Sequence, residues 1–166
     1  MKNIGIFYGS ATGVTADIAN RLAKALGVPA GDVHNVADTA PTALADYKLL
    51  VLGSSTHGSG DLEDDWYDFL DGASALDLKG HTVALFGTGD VGMADTFCDA
   101  IAKLHNALEH TGATFTGHYP ADGYEFSHSE ALLPDGLMMG LALDENNYPQ
   151  FTDQRIAEWA QRIKKA

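Results

Sequence analysis

The chain has 166 residues, 45% of them hydrophobic, with 23 Asp and Glu against 10 Lys and Arg, for a formal net charge of −13. That length and apolar content fit one globular domain spanning residues 1–166, while the charge argues against nucleic acid and anionic membranes as partners and for a basic protein partner. No apolar run is long enough to cross a bilayer, the Met1-Lys-Asn start lacks a signal-peptide pattern, and the single Cys98 leaves no internal disulfide or cysteine metal cluster, so a cytoplasmic protein is expected.

Residues 4–8, Ile-Gly-Ile-Phe-Tyr, are apolar on both faces, as a buried parallel strand requires. A loop of small and hydroxyl residues follows, Gly9-Ser-Ala-Thr-Gly-Val-Thr15. A helix then opens with Val14, Ile18, Leu22 and Leu26 on one face. Residues 33–36 form a short strand and 41–46 a short helix or turn. Residues 48–53 are a buried strand, 54–60 a loop, and Leu62, Trp66, Phe69 and Leu70 mark a helix whose acidic residues mostly face out. Residues 81–87 are a further buried strand and 88–95 a loop. Phe97, Ile101, Leu104 and Leu108 mark a helix ended by Gly112, and residues 113–117 start the last strand. The stretch 118–137, rich in Tyr, Pro, Asp, His and Ser, breaks the rhythm, and strand character returns at residues 138–143. Ile156, Trp159, Ala160 and Ile163 mark a closing helix capped near Thr152 or Asp153.

Strands alternating with helices predict an α/β class: a three-layer, doubly wound fold around a five-stranded parallel sheet in the order 2-1-3-4-5, its edge strand interrupted by the insertion. Ligands in such sheets bind beyond the carboxyl ends of the strands, at the switch between strands 1 and 3. There the loops 10–15, 54–60 and 88–95 meet, all rich in Gly, Ser and Thr.

The first loop contains no Lys or Arg, and Val14 and Thr15 stand where a nucleoside-triphosphatase loop needs its Lys and Ser/Thr. Ser10, Thr12 and Thr15 hydroxyls and backbone N–H groups suit a compact phosphate monoester held without a countercharge. The alternative is a plain helix cap, with Ser10 or Thr12 closing the helix start.

At the three loops the sequence resembles the flavodoxins, and the insertion resembles that of the long-chain members. The resemblance rests on Tyr8-Gly-Ser-Ala-Thr-Gly-Val-Thr15, then Gly53-Ser-Ser-Thr-His-Gly-Ser-Gly-Asp-Leu62 running into Asp64-Asp-Trp-Tyr-Asp-Phe-Leu70. Phe86-Gly-Thr-Gly-Asp90, Ala94-Asp-Thr-Phe97 and Gly140-Leu-Ala-Leu-Asp-Glu145 complete it. Three motifs, in order and each at a strand end, are specific where one is weak.

The resemblance implies a monomeric, low-potential one-electron carrier with non-covalently bound FMN and no catalytic or metal-ligating residues. It places the phosphate on Ser10, Ala11, Thr12, Gly13, Val14 and Thr15. The flavin ring would lie between Ser55, Thr56, His57, Gly58, Ser59 and Gly60 on one side and Thr88, Gly89, Asp90, Met93, Asp95, Phe97 and Asp99 on the other. Implied partners are redox proteins docking on the acidic face: an NADPH-dependent flavodoxin or ferredoxin reductase, a pyruvate-oxidising iron–sulfur enzyme, or nitrogenase. The family usually flanks the ring with a Trp in the second loop and a Tyr in the third. Here those places hold His57 and Met93, so FMN is expected to bind about tenfold more weakly than in the Trp/Tyr members. A protonated His57 would favour an anionic reduced ring. The family's turning peptide maps onto Gly58–Ser59, and Gly58→Val is expected to lower the first reduction potential.

No Lys or Arg occurs between Lys48 and Lys79, a stretch that contains Asp61, Glu63, Asp64, Asp65, Asp68, Asp71 and Asp77. A solvated acidic face is the simplest use of such a run. At ~10 Å and an effective dielectric of ~40, one carboxylate costs an anionic ring roughly 0.8 kcal/mol, and about five lower the second potential by roughly 80–170 mV.

Several rival readings fail. Gly87-Thr-Gly-Asp-Val-Gly92 matches the dinucleotide fingerprint but follows the fourth strand rather than the first. A receiver domain needs carboxylates where Gly9, Ser10, Gly53 and Ser54 stand. Cys98 lacks the Arg of a phosphatase loop, Leu104 being in its place, and the His residues show no ligand spacing. Beside the carrier stands one alternative, a small FMN-dependent quinone or azo reductase or a flavodoxin-like module of a larger reductase.

Overall fold

The computed structural model describes residues 1–93 and 95–165. Ala94, part of the Ala94-Asp-Thr-Phe97 motif and of the third loop, lies outside the described residues. Strands β1 (Lys2–Gly9), β2 (Val33–Asn35), β3 (Tyr47–His57), β4 (Thr82–Thr88), β5 (Thr114–Thr116) and β6 (Leu141–Leu143) build the main sheet. Its helices are α1 (Val14–Leu26), α2 (Asp65–Ala73), α3 (Asp99–Leu108) and α4 (Pro149–Lys164).

The sheet runs β2-β1-β3-β4, all parallel, and then divides. β5 pairs with the lower half of β4, Thr82↔Thr114 to Ala84↔Thr116, and β6 with the upper half, Phe86↔Leu141 to Thr88↔Leu143. Together β5 and β6 make the fifth strand of the expected order, interrupted by the insertion. Within the insertion, Tyr119–Pro120 and Leu137–Met138 form a small antiparallel ribbon. The main strand therefore resumes at Leu141 rather than Met138, because Leu137 and Met138 pair with the insertion's own first strand.

Alternation along each strand feeds two cores. Ile6, Val51, Ala84 and Phe86 pack with Ile18 and Leu22 of α1 and with Ile156, Trp159 and Ile163 of α4. On the other face Phe7, Leu50, Leu52 and Leu85 pack with Trp66 and Phe69 of α2 and with Ile101 and Leu104 of α3. Each fully buried large side chain contributes about 1.5–3 kcal/mol. Both tryptophans also tie helices to the sheet: the indole N–H of Trp66 donates to the Gly53 carbonyl within β3 at 3.0 Å, and that of Trp159 to the carbonyl of Gly117, just after β5, at 2.7 Å. Gly53 must be glycine, since a Cβ there would overlap the Phe86 ring.

Four local expectations shift. β3 continues to His57 because Thr56 and His57 pair back with Leu62 and Asp61, so most of the second loop is a tight hairpin. α3 begins at Asp99, which leaves Phe97 before the helix. α4 begins at Pro149, whose fixed φ suits a first helical position, so Thr152 lies inside the helix, not at its cap. Val14 opens α1 but is exposed, and the helix's apolar face starts at Ile18. Among the described residues no helix is long and apolar enough to cross a membrane.

Candidate functional site

A cavity of ≈ 490 Å³ lies at the carboxyl ends of β1, β3 and β4, within the size range of small-molecule sites. It is lined by Thr12 and Val14 from the first loop, Ser55, Thr56, His57 and Gly58 from the second, and Thr88, Gly89, Asp90, Met93 and Thr96 from the third, with Glu145 and Asn146 after β6.

The first loop leaves the helix start open. Gly13, at φ +91°, is the residue before α1, and no side chain caps the helix. The Ser10 hydroxyl accepts from the Gly13 N–H at 3.1 Å, one residue outside the first turn. Neither Ser10 nor Thr12 closes the helix, so its first N–H groups and positive dipole end remain available to an anion. Among the described residues the lining holds no Lys or Arg. The nearby Arg21 is engaged by Asp17 at 3.0 Å, Glu145 at 2.8 Å and Asp153 at 3.5 Å. Thr15 is buried, and its hydroxyl shares a 3.1 Å hydrogen bond with that of Thr88, joining the first loop to the end of β4.

The second loop turns at Gly58 and Gly60, with φ of +51° and +98°, conformations that glycine adopts freely. The Gly60 N–H donates to the His57 carbonyl at 3.0 Å. The His57 ring meets the Ser55 hydroxyl at 2.7 Å, which fixes it against the cavity wall. The Ala100 N–H at the start of α3 donates to the Thr56 hydroxyl at 3.4 Å.

The third loop hangs on the segment after β6. Asp144, fully buried, accepts from the N–H groups of Val91, Asn146 and Asn147, each at 2.9 Å. Asp90 accepts from Gly92 N–H at 2.7 Å and from the Asn147 and Asn146 side chains at 2.7 and 3.2 Å. These bonds, the Gly92 N–H foremost, hold its carboxyl below the usual carboxylate range. Met93 is 52% exposed at the cavity mouth. His57 and Met93 thus line the same cavity, in the loops where the flanking aromatics were expected.

Some expected site residues lie outside this lining. Ser10, Ala11 and Gly13 shape the first loop behind Thr12, Thr15 is the buried clasp just described, and Ser59 and Gly60 belong to the turn beyond Gly58. Asp95 is exposed away from the lining. Phe97 is buried and stacks on Phe126 at 4.8 Å, as part of the core under the insertion. Asp99 is buried as well; it accepts the Glu130 N–H at 2.9 Å and so ties the insertion to α3. Thr96, Glu145 and Asn146 line the cavity without having been expected there. For Glu145 and Asn146 the available signal was their position just after a strand that ends level with β4.

An uncapped helix start and two glycine-containing loops at the switch point of a doubly wound parallel sheet define an α/β mononucleotide-binding protein. Comparison with known proteins is specific. The flavodoxin family profile matches residues 6–159. Flavodoxin of Klebsiella pneumoniae and flavodoxin 1 of Escherichia coli are each 40% identical over 164 residues, 98% of this chain and 93% of theirs. The crystal structure of Fusobacterium nucleatum flavodoxin bound to flavin mononucleotide superposes with a TM-score of 0.88 at 30% identity, covering 99% of this chain and 98% of that one. The chain belongs to the flavodoxin family.

Proposed function

We propose that the chain holds FMN without a covalent bond in this cavity and carries single electrons at low potential between redox proteins, as a cytoplasmic monomer. The observation that carries the reading is the uncapped, cation-free start of α1 opening into a cavity flanked by two further loops. The donor set fits a phosphomonoester, with neutral hydroxyls and helix N–H groups in the first loop and no carboxylate among residues 10–15. The Fusobacterium relative, described as bound to flavin mononucleotide, matches over nearly the whole chain and supports the same ligand. The reductase alternative is not favoured, since the relatives that match along the whole chain are flavodoxins.

When bound, FMN supplies the one-electron redox chemistry. The protein's part is to bind, orient and tune it. The α1 start, with Thr12 beside it, holds the phosphate. His57 and Met93 flank the ring, and the glycine-rich turn at Gly58 leaves a backbone peptide free to reorient beside it. Asp61, Asp64, Asp65 and Asp68 are exposed next to the second loop. They disfavour added negative charge on the ring and present a face to a basic partner, of the reductase, pyruvate-oxidising or nitrogenase kind.

The test is reconstitution followed by reductive titration. The apoprotein should quench FMN fluorescence at one FMN per chain and then take up electrons in two resolved one-electron steps. A chain that does not take up FMN overturns the proposal, and a single two-electron step would return the reductase reading.

A further inference from the structure

Glu63 lies between β3 and α2 and is only 4% exposed. Its backbone N–H donates to the Ser54 hydroxyl at 3.0 Å, and its Oε2 accepts the Asp65 N–H at 3.2 Å. The carboxyl rests on Gly9, the residue that leads into the first loop, and a Cβ at Gly9 would collide with both Oε2 and the Trp66 ring. Glu63 does not line the cavity, so any influence on a ligand acts across the Gly9 backbone rather than by contact. The charged groups facing it are Asp65 and Asp64, from its own turn; β1 presents Gly9 and β3 presents Ser54, neither titratable. Among the described residues no Lys, Arg or His pairs with it. Burial, and after it Asp65 and Asp64, push this carboxyl up to about 7.

Behind a loop that takes a phosphomonoester, this is an unusual place for an acid. The ligand carries about −1.5 to −2 charges at neutral pH. An ionised Glu63 without a countercharge would oppose it across a single glycine. We infer that Glu63 makes phosphate acceptance proton-linked: the first loop receives its phosphomonoester while Glu63 is neutral, and an ionised Glu63 takes up one proton from solvent as the phosphate arrives. The inference rests on the FMN reading above, since it concerns the phosphate end of the same cavity.

FMN and riboflavin, which lacks the phosphate, separate this effect from anything at the ring. Their dissociation constants are measured by fluorescence quenching between about pH 6 and about pH 8, for the wild type and for Glu63→Gln. Over that range the wild-type Kd for FMN should rise about fivefold more than that of the variant, with no such difference for riboflavin. Parallel FMN curves for the two proteins, or the same difference with riboflavin, overturn the coupling and leave the FMN reading standing. Failure of both proteins to bind FMN at any pH overturns both. Should Glu63→Gln not fold, titration calorimetry on the wild type in two buffers of different ionisation enthalpy decides. At about pH 8, above the phosphate's own pKa of about 6, FMN should draw up more protons than riboflavin. Equal proton counts overturn the inference.

Discussion

The two ends of the cavity are built in different ways. At the phosphate end the working parts are contiguous in sequence, a six-residue loop running into an uncapped helix, with one long-range hydroxyl clasp between Thr15 and Thr88. At the ring end the walls depend on distant supports. The third loop is held by Asp144, Asn146 and Asn147, more than fifty residues further along, and the second by a hairpin and the start of α3. Affinity for a phosphomonoester should therefore be altered most by charge inside a short stretch. The shape offered to the ring should be altered most by residues that never touch it.

The largest effect is expected from Thr12→Asp, which places a carboxylate beside the uncapped helix start. Affinity for FMN should fall about a hundredfold or more, roughly 3 kcal/mol, while riboflavin affinity changes little. Equal losses for the two ligands would show that the phosphate does not sit there. Asp144→Ala should cost about 2–4 kcal/mol of stability in urea denaturation, because the Val91, Asn146 and Asn147 N–H groups lose their acceptor. A loss well below 1 kcal/mol would mean that the third loop stands without this support.

The Glu63 carboxyl gives a pH signature in the apoprotein. Its folded pKa of about 7 lies above the ordinary value of 4.5, so between those values the folded chain binds a proton that the unfolded chain has released. This contribution to stability is fully present below about pH 4.5, declines as pH rises, and is gone above about pH 7. Relative to Glu63→Gln, the wild type should lose on the order of 2 kcal/mol over that range. Parallel stability profiles would contradict it. The smallest change is expected from His57→Trp, which restores an aromatic face in the second loop and should tighten FMN about tenfold. Unchanged affinity would show that the ring does not rest on this wall.

What could be read from the chain alone follows the same division. Strand order, the three converging loops and the cation-free first loop are local patterns of apolar alternation, glycine and hydroxyl spacing, and each is legible in the sequence. The ring-end supports were not. Periodicity marks Asp144 as following a strand, yet nothing local says that its carboxyl will gather amides from residues 91, 146 and 147. The resemblance places Phe97 and Asp99 beside the flavin ring. The insertion instead buries Phe97 against Phe126 and uses Asp99 to hold Glu130, contacts made across about thirty residues of sequence. The hydroxyl of Thr152 and the carboxylate of Asp153 look like a cap, yet α4 starts at Pro149. In the fold, Thr152 is wholly buried one turn into the helix.

The divided edge strand has a consequence for crowded solution. A long, straight outermost strand offers a row of free amides and carbonyls on which another molecule can add its own strand. Here β5 and β6 are each three residues long and separated by an excursion of the chain, and β2, at the opposite border, is also three residues. Neither border gives a neighbouring copy enough continuous backbone to zip onto, which guards the chain against fibrous self-association.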